Sequence, residues 1–260
     1  MVIKVVGKEE LKRILRELKS EEDLARVEEE ARLFLRDIDP ETLSIIEQEL
    51  LEEGLNFEDL RRLCEIHLKA ITIKREEPEI GEEHPISILK AEHEIILDNL
   101  KTLEEIASKV KSDIGLEQLN EEFEKLEPVV ALLLEAESHH QREEKALFPR
   151  LERQGIAGPP NIMRMEHEDL RAKKKTLKRL LDERATLDRN YLADNVYELG
   201  NYIASTLRDH IYKENNILYP LSLTTIPENE WRKIREEFDV IGYCCFTPGI
   251  KALGEHRHEV

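Results

Sequence analysis

The second half of this chain repeats the first, and that repeat constrains the fold more than any other feature of the sequence. Residues 139–149, HHQREEKALFP, align without a gap on residues 210–220, HIYKENNILYP. A helix places residues i and i+4 on one face, so a His-x-x-x-Glu unit presents its imidazole and its carboxylate together. Each half has one such unit, formed by His139 and Glu143 in the first half and by His210 and Glu214 in the second.

The alignment also distinguishes between the two adjacent histidines and between the two adjacent glutamates of residues 139–149. Opposite His140 stands Ile211, and opposite Glu144 stands Asn215. Only the first histidine and the first glutamate therefore recur in the other half. We expect the recurring pair, and not its neighbours, to have a shared role.

The helices that precede these units repeat as well. AEHEIIL, residues 91–97, matches MEHEDLR, residues 165–171, and the match pairs His93 with His167. Each half is therefore predicted to be a helix hairpin with one histidine on its first helix and a His-x-x-x-Glu unit on its second. Two such hairpins packed antiparallel would bring four histidines and two glutamates to one level of a bundle core.

Composition favours helices throughout. Charged residues make up 37% of the chain and aromatic residues 5%, and glycine occurs only 10 times in 260 residues, which is typical of long amphipathic helices and not of β-sandwiches or barrels. Four long helical segments are predicted, at residues 86–110, 116–153, 160–186 and 188–218. Pro149 and Pro220 are expected to kink or end their helices. The predicted fold class is all-α, with an antiparallel four-helix bundle and a small N-terminal helical module.

The predicted domain boundary is a polar segment without helical periodicity. Residues 72–85, TIKREEPEIGEEHP, contain two prolines and one glycine and are predicted to be a linker. Residues 1–71, with four short helical patterns, are predicted to form the N-terminal module. The bundle is predicted at 86–222, and residues 223–260 are expected to form a short helix around Trp231 and a tail that packs on the bundle.

Charge and cysteine content restrict the partners and the compartment. The net charge of -18 would repel a phosphate backbone, so no nucleic-acid partner is expected. No run approaches the ~20 apolar residues of a membrane span, and the N-terminus meets charge too early for a signal peptide. Cys64, Cys244 and Cys245 are too few for a disulfide framework. A cytoplasmic location is therefore expected.

The repeated residues suit a metal site with two ions. A single histidine on a helix is more often a surface or packed residue, but four in register with two glutamates favour ligation. Charged and polar groups inside a bundle must be paired or bound to metal, and imidazole with carboxylate suits iron, manganese or zinc. Two glutamates from opposite hairpins would bridge two ions, and each ion would receive two histidines. Such ligation leaves open positions for a solvent bridge and an external ligand.

These residues resemble the hemerythrin-like, or HHE cation-binding, family over residues 84 to about 220. His139-x-x-x-Glu143 followed by LFP is the most specific element of the likeness. The resemblance implies a four-helix bundle with a carboxylate-bridged di-iron centre. It also implies the ligand set, which is His93, His139, Glu143, His167, His210 and Glu214.

The six-ligand pattern is most similar to the di-iron proteins described as repairing iron centres after nitrosative or oxidative damage. Oxygen-carrying members of the family have a further histidine at the position of Met163, so reversible oxygen carriage is not expected here. The N-terminal module resembles a domain of unknown function, number 438, with EQELLEEGLNFEDLRRLCEIH its clearest match. That second resemblance implies no established chemistry.

Three functions are compatible with this pattern. The leading hypothesis is a non-haem di-iron protein that senses or reacts with oxygen, nitric oxide or peroxide, the small molecule being its partner. The first alternative is an enzyme at the same site, either for iron-centre repair or as a di-iron oxidase or peroxidase. The second alternative is iron storage or delivery.

Several further residues have two interpretations each. His84 is expected to cap the first bundle helix or border the site. Cys64 and His67 lie close to one helical turn apart and either bind metal or, more simply, pack in a core. Cys244 and Cys245 either belong to a packed tail or have a redox role.

Overall fold

The computed structural model describes residues 79–112 and 115–249, together with Glu9, Glu10, Arg13, Ile14, Glu30, Leu33 and Phe34. Their contacts divide them into two compact units. One, the bundle unit, comprises the described residues of Glu79–Leu147, Arg164–Tyr212 and Pro227–Val260. The other, the smaller unit, comprises the described residues of 1–78 with Phe148–Met163 and Lys213–Ile226. The division into module, linker, bundle and tail stays a prediction.

Every regular element among the described residues is a helix, so the all-α prediction is confirmed. The helices are α1 (Pro85–Lys111), α2 (Leu116–Glu135), α3 (Glu137–Arg142), the π-helix π1 (Glu143–Leu147), α4 (Phe148–Arg153), α5 (Gly158–Asp182), α6 (Arg189–Lys213), the π-helix π2 (Glu214–Leu218), α7 (Tyr219–Thr225) and α8 (Glu228–Ile241). These bounds match the four predicted segments and the short helix expected around Trp231 closely.

Local signals in the sequence explain where the helices begin and end. His84 is the N-cap of α1, and its Nδ1 accepts a hydrogen bond from the Ile86 N–H at 3.2 Å. The capping role expected for this histidine is therefore confirmed. At the start of α6, the Asp188 carboxylate accepts a hydrogen bond from the Tyr191 N–H at 2.9 Å. Gly242, at φ 97°, ends α8 in a conformation that glycine adopts without strain.

The bundle unit is built from four long helical segments that run antiparallel to their neighbours. Along the α1–α6 interface, the contact partner moves from Arg208 to Asp194 as the chain of α1 advances from Glu104 to Lys111. The same reversal of order marks the other interfaces: Asn99–Val129 and Lys109–Glu122 between the first and second segments, Glu127–Arg184 and Glu137–Arg171 between the second and third, and His167–His210 and Asp169–Tyr202 between the third and fourth. Each segment therefore lies between two antiparallel partners, as the repeated hairpin predicts.

A continuous apolar core fills this unit between the four segments. It includes Leu100 and Leu103 of α1, Val130 of α2, Leu177 of α5 and Ile203 of α6. Gly200 allows α1 and α6 to approach closely, because a Cβ added there would lie 2.9 Å from the Cβ of Ala107. The four histidines of the repeat lie at one end of the unit, near the start of α1 and α5 and near the end of the two helical segments antiparallel to them.

Both predicted glutamate ligands begin a π-helix, Glu143 in π1 and Glu214 in π2. Neither Pro149 nor Pro220 ends its helical run, since α4 and α7 continue past them. A proline ring clashes with the carbonyl four residues earlier in an α-helix, and here that carbonyl lies within the wider π turn. Of the two effects expected of each proline, ending the helix is not observed, and a kink stays a prediction. Single π turns of this kind are frequent at functional sites.

Candidate metal centre

The four predicted histidines lie in two pairs inside the bundle unit. Nε2 of His93 on α1 is 3.1 Å from Nε2 of His139 on α3. Nε2 of His167 on α5 is 2.9 Å from Nε2 of His210 on α6. All four side chains are buried. Each pair therefore joins the two histidines of one half of the repeat, with the same ring nitrogen of each facing its partner.

The Glu143 carboxylate lies between the two pairs. Its Oε2 is 3.6 Å from Nε2 of His139 and 3.5 Å from Nε2 of His167, and the side chain is fully buried. A carboxylate in this position can accept a cation on either side, as expected for a bridging ligand. Glu214 is also buried, in the smaller unit, and its ligation stays a prediction from the repeat.

A carboxylate holds the outer nitrogen of three of these histidines. Nδ1 is 2.7 Å from Glu92 in His139, 2.7 Å from Glu144 in His167 and 2.7 Å from Glu166 in His210. An Nδ1–H that donates to a carboxylate leaves the Nε2 lone pair for a cation, and metal-binding histidines are commonly oriented in this way. The geometry and the donor set both fit a metal centre.

The sequence pattern did not single out these three glutamates as functional residues. Glu92 and Glu166 each precede a predicted histidine and occupy the same position of the repeat, so the alignment already contained a signal for them. Glu144 had no such signal, because Asn215 stands opposite it. Its contact with His167 shows that the second glutamate of the doubled pair has a separate role.

Glu92 is the centre of a buried network that extends to the C-terminal segment. Arg142 Nη2 donates to both carboxylate oxygens at 2.6 Å, and the Thr247 hydroxyl donates to Oε1. Burial would raise the pKa of the Glu92 carboxyl, but its hydrogen bond and charge interaction with His139 and those with Arg142 outweigh burial and lower the pKa to about 2. The carboxylate is therefore charged at neutral pH and orients His139.

The C-terminal segment packs on the bundle at this network, as expected. The Arg142 guanidinium lies 5.3 Å from the ring centre of Phe238 and 4.9 Å from that of Tyr243. Cys244 is buried with Sγ 3.1 Å from Ser138 Oγ, and burial is the main cause that raises its pKa to about 11. A thiol with so high a pKa is a poor nucleophile, which favours the packing role over redox reactivity for Cys244. Cys245 is exposed.

His140 lies against the predicted site, although the repeat did not select it. Its buried ring stacks on His167 with 4.0 Å between ring centres and 12° between planes. His140, His167 and His210 each have a ring nitrogen within 4.8 Å of those of the other two. The neighbour of a predicted ligand is thus part of the same cluster of imidazoles.

The structure describes two of the four further residues that the sequence singled out, His84 and Met163. The His84 ring contacts the Trp231 ring at 4.5 Å between centres and serves as the α1 cap. Met163 is buried in the smaller unit. Cys64 and His67 lie outside the described residues.

Two family models match this chain. The hemerythrin HHE cation binding domain matches residues 84–222, and a family of unknown function, DUF438, matches residues 11–77. Both agree with the resemblances seen in the sequence. No curated protein matches the chain. Among the described residues, no helix is both long and apolar enough to cross a membrane.

Proposed function

We propose that this chain, which belongs to the hemerythrin HHE cation-binding family, is a cytoplasmic non-haem di-iron protein that senses or reacts with oxygen, nitric oxide or peroxide. The ligands in this proposal are His93, His139, Glu143, His167, His210 and Glu214. One observation carries the proposal: the His93 ring faces the His139 ring, the His167 ring faces the His210 ring, and the Glu143 carboxylate lies between these two pairs. Two iron ions held there would supply the redox chemistry.

The protein's own residues perform three tasks in this proposal. Glu92, Glu144 and Glu166 hold the proton on Nδ1 of their histidines and so keep each Nε2 directed inward. Glu143 offers a carboxylate between the two histidine pairs. Burial of these groups, apart from the partly exposed Glu144, excludes bulk water, which strengthens their interaction with a cation.

The proposal predicts two iron ions per chain and a different effect on iron content for substitutions of His139 and of its neighbour His140. His139→Ala is expected to lower the iron content from about two ions to about one, because it removes one Nε2 of the His93 pair. His140→Ala is the matched control and is expected to keep both ions, since Ile211 occupies its position in the other half. Metal analysis after anaerobic reconstitution measures both. Equal loss in the two variants would show that the repeat does not identify the ligands.

The second prediction concerns reactivity. Oxygen added to the anaerobic iron(II) protein is expected to oxidise both irons, and sparging with argon is not expected to restore the starting visible spectrum without a reductant. The reason is that Met163, a poor ligand for ferric iron, replaces the histidine with which oxygen carriers saturate one ion. Full recovery under argon would instead indicate oxygen carriage. Uptake of many more than two irons per chain would favour storage.

A further inference from the structure

Lys174 is a buried amine inside the bundle unit. Its side chain is 2% exposed, and Nζ makes no hydrogen bond with any described residue. It is the middle residue of the run Lys173, Lys174 and Lys175, and Lys175 is exposed. The burial therefore distinguishes one lysine from a neighbour of the same chemistry.

Packing alone does not explain a lysine at this position. Lys174 lies on the apolar stripe of α5 between Leu170 and Leu177, both of which are fully buried. The alignment that pairs His93 with His167 places Leu100 opposite Lys174. Leu100 fills the core of the other half, so the fold accommodates an apolar side chain at this depth.

His140 departs from the repeat in the same way. Ile211, its counterpart, belongs to the apolar core, whereas His140 is a buried imidazole whose Nδ1 has no hydrogen-bond partner among the described residues. The two departures face the same side of α5, because His140 stacks on His167 and Lys174 follows His167 by seven residues, two helical turns along the same face. Lys174 and His140 are thus polar residues at two buried positions where the repeat has the apolar residues Leu100 and Ile211.

The surrounding charges leave the Lys174 amine without a close anionic partner. Glu137 is the carboxylate that raises the pKa of Lys174, but it accepts hydrogen bonds from Arg171 Nε–H at 2.8 Å on both oxygens and lies 3.8 Å from His140 Nδ1. An ammonium buried without a partner is costly, so natural proteins pair it with an anion or retain it for function. Burial lowers the pKa of Lys174 to about 8, which leaves the ammonium predominant at pH 7.

We propose that Lys174 and His140 bind a small monoanion, of the size of nitrite or formate, inside the bundle beside His167. The Lys174 ammonium would donate a charge-assisted hydrogen bond, and His140 Nδ1–H a second one. Both nitrogens are buried, so only an anion of a few atoms can be enclosed there. This site adds to the proposed function and does not depend on it, because neither side chain belongs to the proposed ligand set.

Calorimetric titration of the full-length protein with sodium nitrite, and separately with sodium formate, tests the site at constant ionic strength. We expect one bound anion per chain, and Lys174→Met is expected to weaken binding at least about tenfold. Lys175→Met makes the same chemical change at an exposed position and is expected to leave the affinity unchanged. His140→Ile, which copies the other half of the repeat, is expected to weaken binding as well.

Two results would overturn the inference. One is the absence of binding in the unaltered protein, and the other is equal affinity in Lys174→Met, which would place the anion elsewhere, such as on a metal ion. Iron content measured on the same samples keeps the two proposals distinct. A protein that binds nitrite through Lys174 but holds no iron refutes only the proposed function, and one that holds two irons with unchanged nitrite affinity in Lys174→Met refutes only the anion site.

Discussion

Chelation of the metal ions is expected to lower the midpoint of thermal unfolding of this protein by about 10 °C. The four histidines and Glu143 are buried at one place in the bundle, so only the folded chain presents them together. An ion at a free concentration of about 1,000 times its Kd stabilises the folded state by about 4 kcal/mol, and 1 kcal/mol shifts the midpoint by about 2–4 °C for a chain of this size.

Scanning calorimetry of the metal-loaded and chelated protein measures this effect. Restoring iron should restore the higher midpoint, and His139→Ala should show a smaller difference because it is expected to hold about half the metal. Identical midpoints with and without metal would mean that the histidine cluster contributes nothing to folding through metal binding.

The second large effect is expected at Lys174. In buffer free of small anions, Lys174→Met is expected to stabilise the protein by about 3 kcal/mol at pH 7, because burial lowers the pKa of this lysine from 10.5 to about 8. Between these two values the unfolded chain binds more protons than the folded chain, so the stability of the unaltered protein rises with pH. The advantage of the variant is therefore fully present below about pH 8 and is lost as the pH rises to about 10.5.

Urea unfolding of both proteins at pH 7 and pH 10 measures the difference. The groups that act on Lys174 are Glu137, His140, Arg171 and Cys244. All four are common to the two proteins, so their own titration largely cancels in the comparison. Lys175→Met is the control and should change stability little at either pH. A Lys174→Met variant no more stable than the control at pH 7 would contradict the burial argument.

The histidine pairs could be predicted from the sequence because their evidence is a pattern repeated in register. His93 and His167, like His139 and His210, recur with the same neighbours, which chance rarely produces. Most helix ends were equally accessible, since glycine and capping residues determine them locally, whereas Pro149 and Pro220 did not end their helices. Such signals do not depend on how distant parts of the chain meet.

Other features depend on contacts that no local pattern contains. Glu92 resembles any charged helix residue until Arg142 and Thr247 meet it, and Thr247 lies 155 residues further along the chain. Lys174 sits in a run of three lysines that is typical of a solvated face, although its place on the Leu170–Leu177 stripe was a usable signal. The π turns likewise had no marker apart from the two prolines, which suggested interruption instead.

The hydrogen bond from Thr247 to Glu92 affects how a minimal fragment of this protein should be chosen. A fragment cut at the family-matched range, residues 84–222, would keep all six proposed ligands and the Glu92–Arg142 pair. It would lack the Thr247 hydroxyl and the rings of Phe238 and Tyr243 that cover Arg142. His139 would then be oriented by a carboxylate opened to water, so metal affinities measured on such a fragment would describe a different site from that of the full chain.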